Sequence, residues 1–161
     1  MLFLLFQLDA DRYALPARDV TEVLPLLSVK TLPGAPAGVV GLINYRGLAV
    51  PALDLALLAL GRPAARRVST RILVVNYPHP DGRERLLGVI VERATEMIAK
   101  EPGEFRPIGI ASPAARYLGP VAQDPRGMIQ RVDVGALLTD ELRAALYPDG
   151  ADLPPAVAVA S

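Results

Sequence analysis

The sequence predicts an all-β fold made of two small barrels with short helices. Three observations carry this. The chain of 161 residues is 52% apolar yet holds 13 Gly and 16 Pro, against a combined ~12% in an average chain. Breakers at that density cut an apolar chain into short strands rather than long helices. The apolar runs are themselves short and separated by polar turns at hairpin spacing. Finally, the chain is written twice, and each half alone is too small for a good core, so the two halves share one apolar seam.

The repeat shows in two motifs that recur in the same order. Val20-Thr21-Glu22-Val23-Leu24 is answered 74 residues later by Ala94-Thr95-Glu96-Met97-Ile98. Arg46-Gly47, running on to Asp54-Leu55, is answered 80 residues later by Arg126-Gly127, running on to Asp133-Val134 with one residue lost. In front of each Thr-Glu stand an apolar strand, a polar turn and a second apolar strand.

Each element follows from local pattern. Residues 2–8 are nearly all apolar, which marks a strand buried on both faces; a turn at 9–12 leads to a second strand through Tyr13-Ala14-Leu15. In the second half, Ile72-Leu73-Val74-Val75 leads through a Pro- and Asp-Gly-rich turn at 77–82 to Leu86–Val91. Residues 117–129 read as a further hairpin around Asp124-Pro125-Arg126-Gly127. Asp54 is placed to cap a helix over 55–60 that stops at Gly61. Thr139 is placed to cap a helix over 140–147, ended by Pro148. The predicted organisation is one unit over 1–147. Its first barrel lies mainly within 10–65 and its second within 70–135, with the crossover near 62–71 and terminal elements exchanged between the barrels. A flexible tail follows over 148–161.

Composition removes most chemistry. There is no Cys, which excludes disulfides, thiolate nucleophiles and Cys-based zinc sites. The one His, His79, lies between two prolines and reads as an exposed turn residue, so no triad is available. No phosphate-loop or dinucleotide motif and no spaced ligand cluster is present, so no catalytic residue, metal site or cofactor is expected. Lys+Arg and Asp+Glu are both 17, so no global field steers the chain to nucleic acid or to an anionic membrane. The opening residues are apolar but too few for a signal or a membrane span, and a soluble cytoplasmic protein is expected. Arg62, Arg66, Arg67 and Arg71 raise a nucleic-acid reading, but they lack interleaved aromatics for base stacking and read rather as a solvated linker. A binding module leads. A small barrel that binds nucleic acid or a small ligand stands as the alternative.

The repeat also predicts two ion pairs. A Glu in an apolar segment is costly to bury unless paired, and Arg offers a fork that meets a carboxylate with two hydrogen bonds. Glu22 is therefore matched with Arg46, and Glu96 with Arg126.

Gly41-Leu42-Ile43-Asn44-Tyr45-Arg46-Gly47, continued by Leu48-Ala49-Val50-Pro51-Ala52-Leu53-Asp54-Leu55, resembles the signature of the CheW-like chemotaxis adaptor family. Val20-Thr21-Glu22-Val23, Thr31-Leu32-Pro33-Gly34-Ala35-Pro36 and Leu87-Gly88-Val89-Ile90-Val91-Glu92 resemble its other segments, so the likeness spans about residues 2–147. Asp9 departs from it, standing where many members carry a Gly. The resemblance implies two tandem five-stranded SH3-like barrels and a non-enzymatic adaptor. That adaptor would couple the cytoplasmic hairpin tip of a chemoreceptor to the regulatory domain of a CheA-like histidine kinase. The resemblance also implies a cytoplasmic protein recruited to membrane-associated receptor arrays, with no nucleic-acid partner and no membrane insertion. Partner contacts carry over to Val20, Glu22, Asn44, Arg46 and Gly47.

Overall fold

Nine strands and two short helices account for the regular structure of the computed structural model, which describes residues 1–109 and 115–148. The expected tail lies, beyond Pro148, outside the described residues. The strands are β1 (Leu2–Leu8), β2 (Asp11–Pro16), β3 (Val20–Pro25), β4 (Val39–Tyr45), β5 (Leu48–Asp54), β6 (Arg71–Pro78), β7 (Glu84–Ala99), β8 (Leu118–Asp124) and β9 (Gly127–Val132). Helix α1 (Leu55–Leu60) follows β5 and helix α2 (Asp140–Leu146) follows β9. The fold is mostly β with few helices, as the breaker-rich composition requires.

Local chemistry sets the helix ends. The Asp54 side chain accepts from Leu57 N at 3.2 Å and starts α1, and Gly61 ends it at φ +74°. The Thr139 hydroxyl accepts from Leu142 N at 3.1 Å and starts α2. Asp9, in the β1–β2 turn, has φ +53°. That left-handed conformation is one a Gly takes freely and an Asp tolerates better than most residues.

The pairing falls into two groups of five strands that share β7. One runs β3–β6–β7–β5–β4 and the other β7–β1–β2–β9–β8. Each group has one parallel pair, β5 with β7 in the first and β2 with β9 in the second. Residues Glu84–Val91 of β7 serve β6, and Glu92–Ala99 serve β1. The change is made at a bulge, where the β1 register jumps from Leu5↔Glu96 to Gln7↔Glu92 and Arg93 takes φ +52°.

This division differs from the expected limits of 10–65 and 70–135. The first group draws on residues 20–91, and the second on 2–16 with 92–132. The crossover is inside β7 at Val91–Glu92, not at 62–71, which is a connection within the first group. The β1–β2 hairpin sits with the late strands, and the β6–β7 hairpin with the early ones. A 16-residue strand with one bulge reaches both groups, so no separate linker is needed.

The shared seam explains the apolar β1. Its Leu4, Phe6 and Leu8 enter the main core with Leu53, Leu73, Tyr77, Leu87 and Leu138 from the other group and the chain that follows β9. Its alternate residues Phe3 and Leu5 enter a smaller core inside their own group, with Phe105 and Ile129. Each such side chain contributes about 1.5–3 kcal/mol of burial, so one face of β1 holds the two groups together and the other builds its own group.

Candidate partner-binding surface

β4 and β5 are joined by the two-residue turn Arg46-Gly47, with Tyr45 paired to Leu48. Arg46 and Gly47 have φ +50° and +83°, the left-handed pair that matches the twist of a two-residue hairpin. Asn44 Oδ1 accepts from Gly47 N at 3.0 Å and secures the turn. Open space surrounds the position a Gly47 Cβ would take, so conformation rather than packing calls for glycine there.

The turn presents Arg46. Its guanidinium lies 5.5 Å above the centre of the Tyr45 ring, and Nη2 donates to Glu22 Oε1 at 2.9 Å. The hydrogen bond to Glu22 holds Arg46 above its ordinary pKa, so it stays charged. Glu22 lies on β3 and Arg46 follows β4. These are the two end strands of their group, so the ion pair spans the group's open side. The chain after β3 completes the closure, with Lys30 N donating to Leu42 O at 2.8 Å and Leu42 N to Lys30 O at 2.9 Å. Gly41 permits that approach, since a Cβ there would stand 1.9 Å from Lys30 O.

The second group repeats the arrangement. Arg126, in the β8–β9 turn, donates to both oxygens of Glu96 on β7 at 2.7 and 3.3 Å. Its hydrogen bond holds Glu96 below the usual carboxylate range. β7 and β8 are again the end strands, and Arg106 and Val121 exchange backbone hydrogen bonds of 2.9 Å across the gap.

Both ion pairs are exposed. Arg46 keeps 72% of its side-chain surface and Glu22 keeps 32%; Arg126 and Glu96 keep about half of theirs. Solvent screens such pairs, so they add little to stability. Of the other expected contact residues, Asn44 and Gly47 are exposed on the turn, while Val20 is half-buried against the main core. The sequence reading missed the uncovered apolar side chains next to these pairs: Val23 and Leu48 in one group, Met97 and Met128 in the other. The repeat offsets of 74 and 80 residues relate the four of them, so the signal was present in the alignment of the two halves.

Two local expectations are corrected. Arg62 is partly exposed but not free in solvent; its guanidinium donates to Asp9 at 2.7 Å and to Glu92 at 3.0 Å, and Ala65 N donates to Glu92 at 2.9 Å. The connection has to pass over the β7 bend, where the two carboxylates sit. His79 is not exposed either. It stands edge-on to Tyr77 and Tyr147, and its Nδ1 accepts from Asp81 N at 3.1 Å. Among the described residues there is no group of three or more His, Cys, Asp or Glu that could hold a metal ion. No helix among them is long and apolar enough to cross a membrane.

Comparison with known proteins agrees with this architecture. The family model described as "CheW-like domain" matches residues 2–142. The chain is 24% identical over 141 residues to the chemotaxis protein CheW of Klebsiella aerogenes, covering 86% of this chain and 82% of that one. It is 24% identical over 151 residues to the chemotaxis protein CheW of Bacillus subtilis, covering 92% and 93%. The crystal structure of the scaffolding protein TtCheW from Thermoanaerobacter tengcongensis superposes with a TM-score of 0.73 at 23% identity, over 86% of this chain and 88% of that one. That likeness bears on the fold.

Proposed function

The chain belongs to the CheW-like domain family, and from this premise we infer that it is a non-enzymatic scaffold protein of chemotaxis. We propose further that it couples the cytoplasmic hairpin tip of a chemoreceptor to the regulatory domain of a CheA-type histidine kinase. It would do so by contact alone, in the cytoplasm, at membrane-associated receptor arrays. Val20, Glu22, Asn44, Arg46 and Gly47 are proposed to form part of the contact. Val20 contributes from beneath, by its packing on the core.

One observation carries the reading. An arginine is held ready on a rigid turn by Glu22 and Tyr45, yet remains largely open to solvent. Arginine anchors are over-represented among the residues that dominate interfaces. One already ordered gives up less side-chain freedom on binding. The uncovered Val23 and Leu48 supply apolar area beside it.

The test is capture of the purified protein on an immobilised kinase regulatory domain and, separately, on a receptor cytoplasmic tip. Retention by at least one of them, weakened by Arg46→Ala, supports the reading. If neither retains the wild-type protein, the proposal fails.

A further inference from the structure

A cleft of about 280 Å3 opens where the connection from α1 to β6 lies against the bend of β7. Ala94 N donates to Ser69 O at 3.1 Å and seats the connection on the strand. Arg62, Arg67 and Arg93 line the cleft together with Asp9 and Glu92. The charge of Arg62 is engaged by those two carboxylates. The guanidinium groups of Arg67, Arg93 and the adjoining Arg66 have no hydrogen-bond or ion-pair partner among the described residues.

Two further features have no structural use. Arg93 takes φ +52°, where Gly or Asn would sit with less strain, so the backbone does not call for an arginine there. Val68, next to Arg67 in the chain, is 87% exposed, so the core does not require it.

We propose that this cleft, with Arg67 and Arg93 on its walls and the exposed Arg66 and Val68 flanking Arg67 in the chain, is a docking surface for an acidic polypeptide segment. Charge complementarity selects the occupant. Asp9 and Glu92 lie in the same cleft and oppose a dense polyanion such as a nucleic-acid backbone or an anionic lipid surface. They tolerate single carboxylates placed between the arginines. No aromatic side chain lines the cleft for base stacking. Val68 offers an apolar contact that a peptide side chain uses and a phosphate backbone does not. The site is separate from the Glu22–Arg46 surface and does not depend on its reading.

The probe is a fluorescein-labelled octapeptide of alternating glutamate and valine, followed by anisotropy at low salt. Its comparators are the lysine–valine octapeptide, a 20-nucleotide oligothymidylate and phosphatidylserine vesicles. The wild type binds the glutamate peptide in preference to all three, and binding weakens as salt rises. Arg67→Glu combined with Arg93→Asn, which keeps a residue suited to positive φ, lowers affinity at least ~10-fold, the tenfold step of about 1.4 kcal/mol. Its circular dichroism spectrum stays unchanged. Arg66→Glu/Arg67→Glu, confined to the connection, gives the same loss and decides the matter if the first variant does not fold. Absence of binding by the wild type, equal binding by the folded variants, or tighter binding of oligothymidylate or vesicles would overturn the proposal.

Discussion

The Arg46 guanidinium lies 2.9 Å from the Glu22 carboxylate, joining the turn after β4 to the strand at the other end of its group. Arg126 and Glu96 make the same join in the second group at 2.7 Å. The equivalence is topological, because in each group the arginine follows one end strand and the glutamate lies on the other.

Because the Glu22–Arg46 pair is exposed, its role is separable from stability. Arg46→Ala weakens capture by the partner it contacts about tenfold or more, the scale of an interface-dominating arginine. It leaves the melting temperature within experimental scatter. The charge-swapped variant Glu22→Arg/Arg46→Glu restores the ion pair but not capture. Recovery of capture by the swap would mean that the pair acts only as a structural clasp.

The partners Arg12 and Asp124 are far less exposed, at 9% and 16%. Arg12 also donates to Gly127 O at 3.1 Å, tying β2 to the β8–β9 turn. Arg12→Ala therefore destabilises the protein by about 2–3 kcal/mol, read from the denaturant midpoint.

The same pair sets an acid limit. The Arg12 guanidinium holds the Asp124 carboxyl well below its ordinary value. A carboxylate whose folded pKa is depressed stabilises the fold fully above its unfolded pKa, near 4, and loses that contribution as pH falls toward the folded value. Stability should decline below about pH 5. Asp124→Asn should flatten that decline while lowering stability at pH 7. An unchanged slope in the variant would remove Asp124 from the account.

Of the two glycines in the 41–47 segment, Gly41 is the less replaceable. A Cβ at this position meets Lys30 O at 1.9 Å and Lys30 C at 2.7 Å, at φ +149°. Backbone must move, and the Lys30–Leu42 closure breaks. Gly41→Ala costs on the order of 3–5 kcal/mol, the range of strongly disruptive substitutions, or prevents folding. Gly47→Ala, with open space around it, costs only the positive-φ strain, on the order of 1 kcal/mol. Thermal unfolding of the two variants tests the ranking.

Met97 and Met128 are exposed at positions the repeat makes equivalent to Val23 and Leu48. Met97→Asp/Met128→Asp leaves the melting temperature unchanged, since no core packing is lost. It reduces capture by one of the two proposed partners. Full retention by both would show that the second group's uncovered face is not used.

The sequence by itself determined whatever is decided within a few residues. The span of β1, the caps Asp54 and Thr139, and the positive-φ turn at Gly47 all follow from side chains acting on their own backbone. The matches Glu22 to Arg46 and Glu96 to Arg126 were legible for a different reason: the chain states each motif twice, and a twofold statement exposes a pairing that one copy hides. Tertiary structure decided the rest. Where β7 passes from one group to the other depends on its pairing with β6 on one side of the bulge and β1 on the other. Those strands are distant in the chain. Arg12 meets Asp124 across 112 residues, and Arg62 meets Asp9 across 53, separations at which local pattern carries no information. Exposure was decided there too, because whether Glu22 is a buried clasp or an open anchor depends on what packs over it. No residue of its own strand settles that.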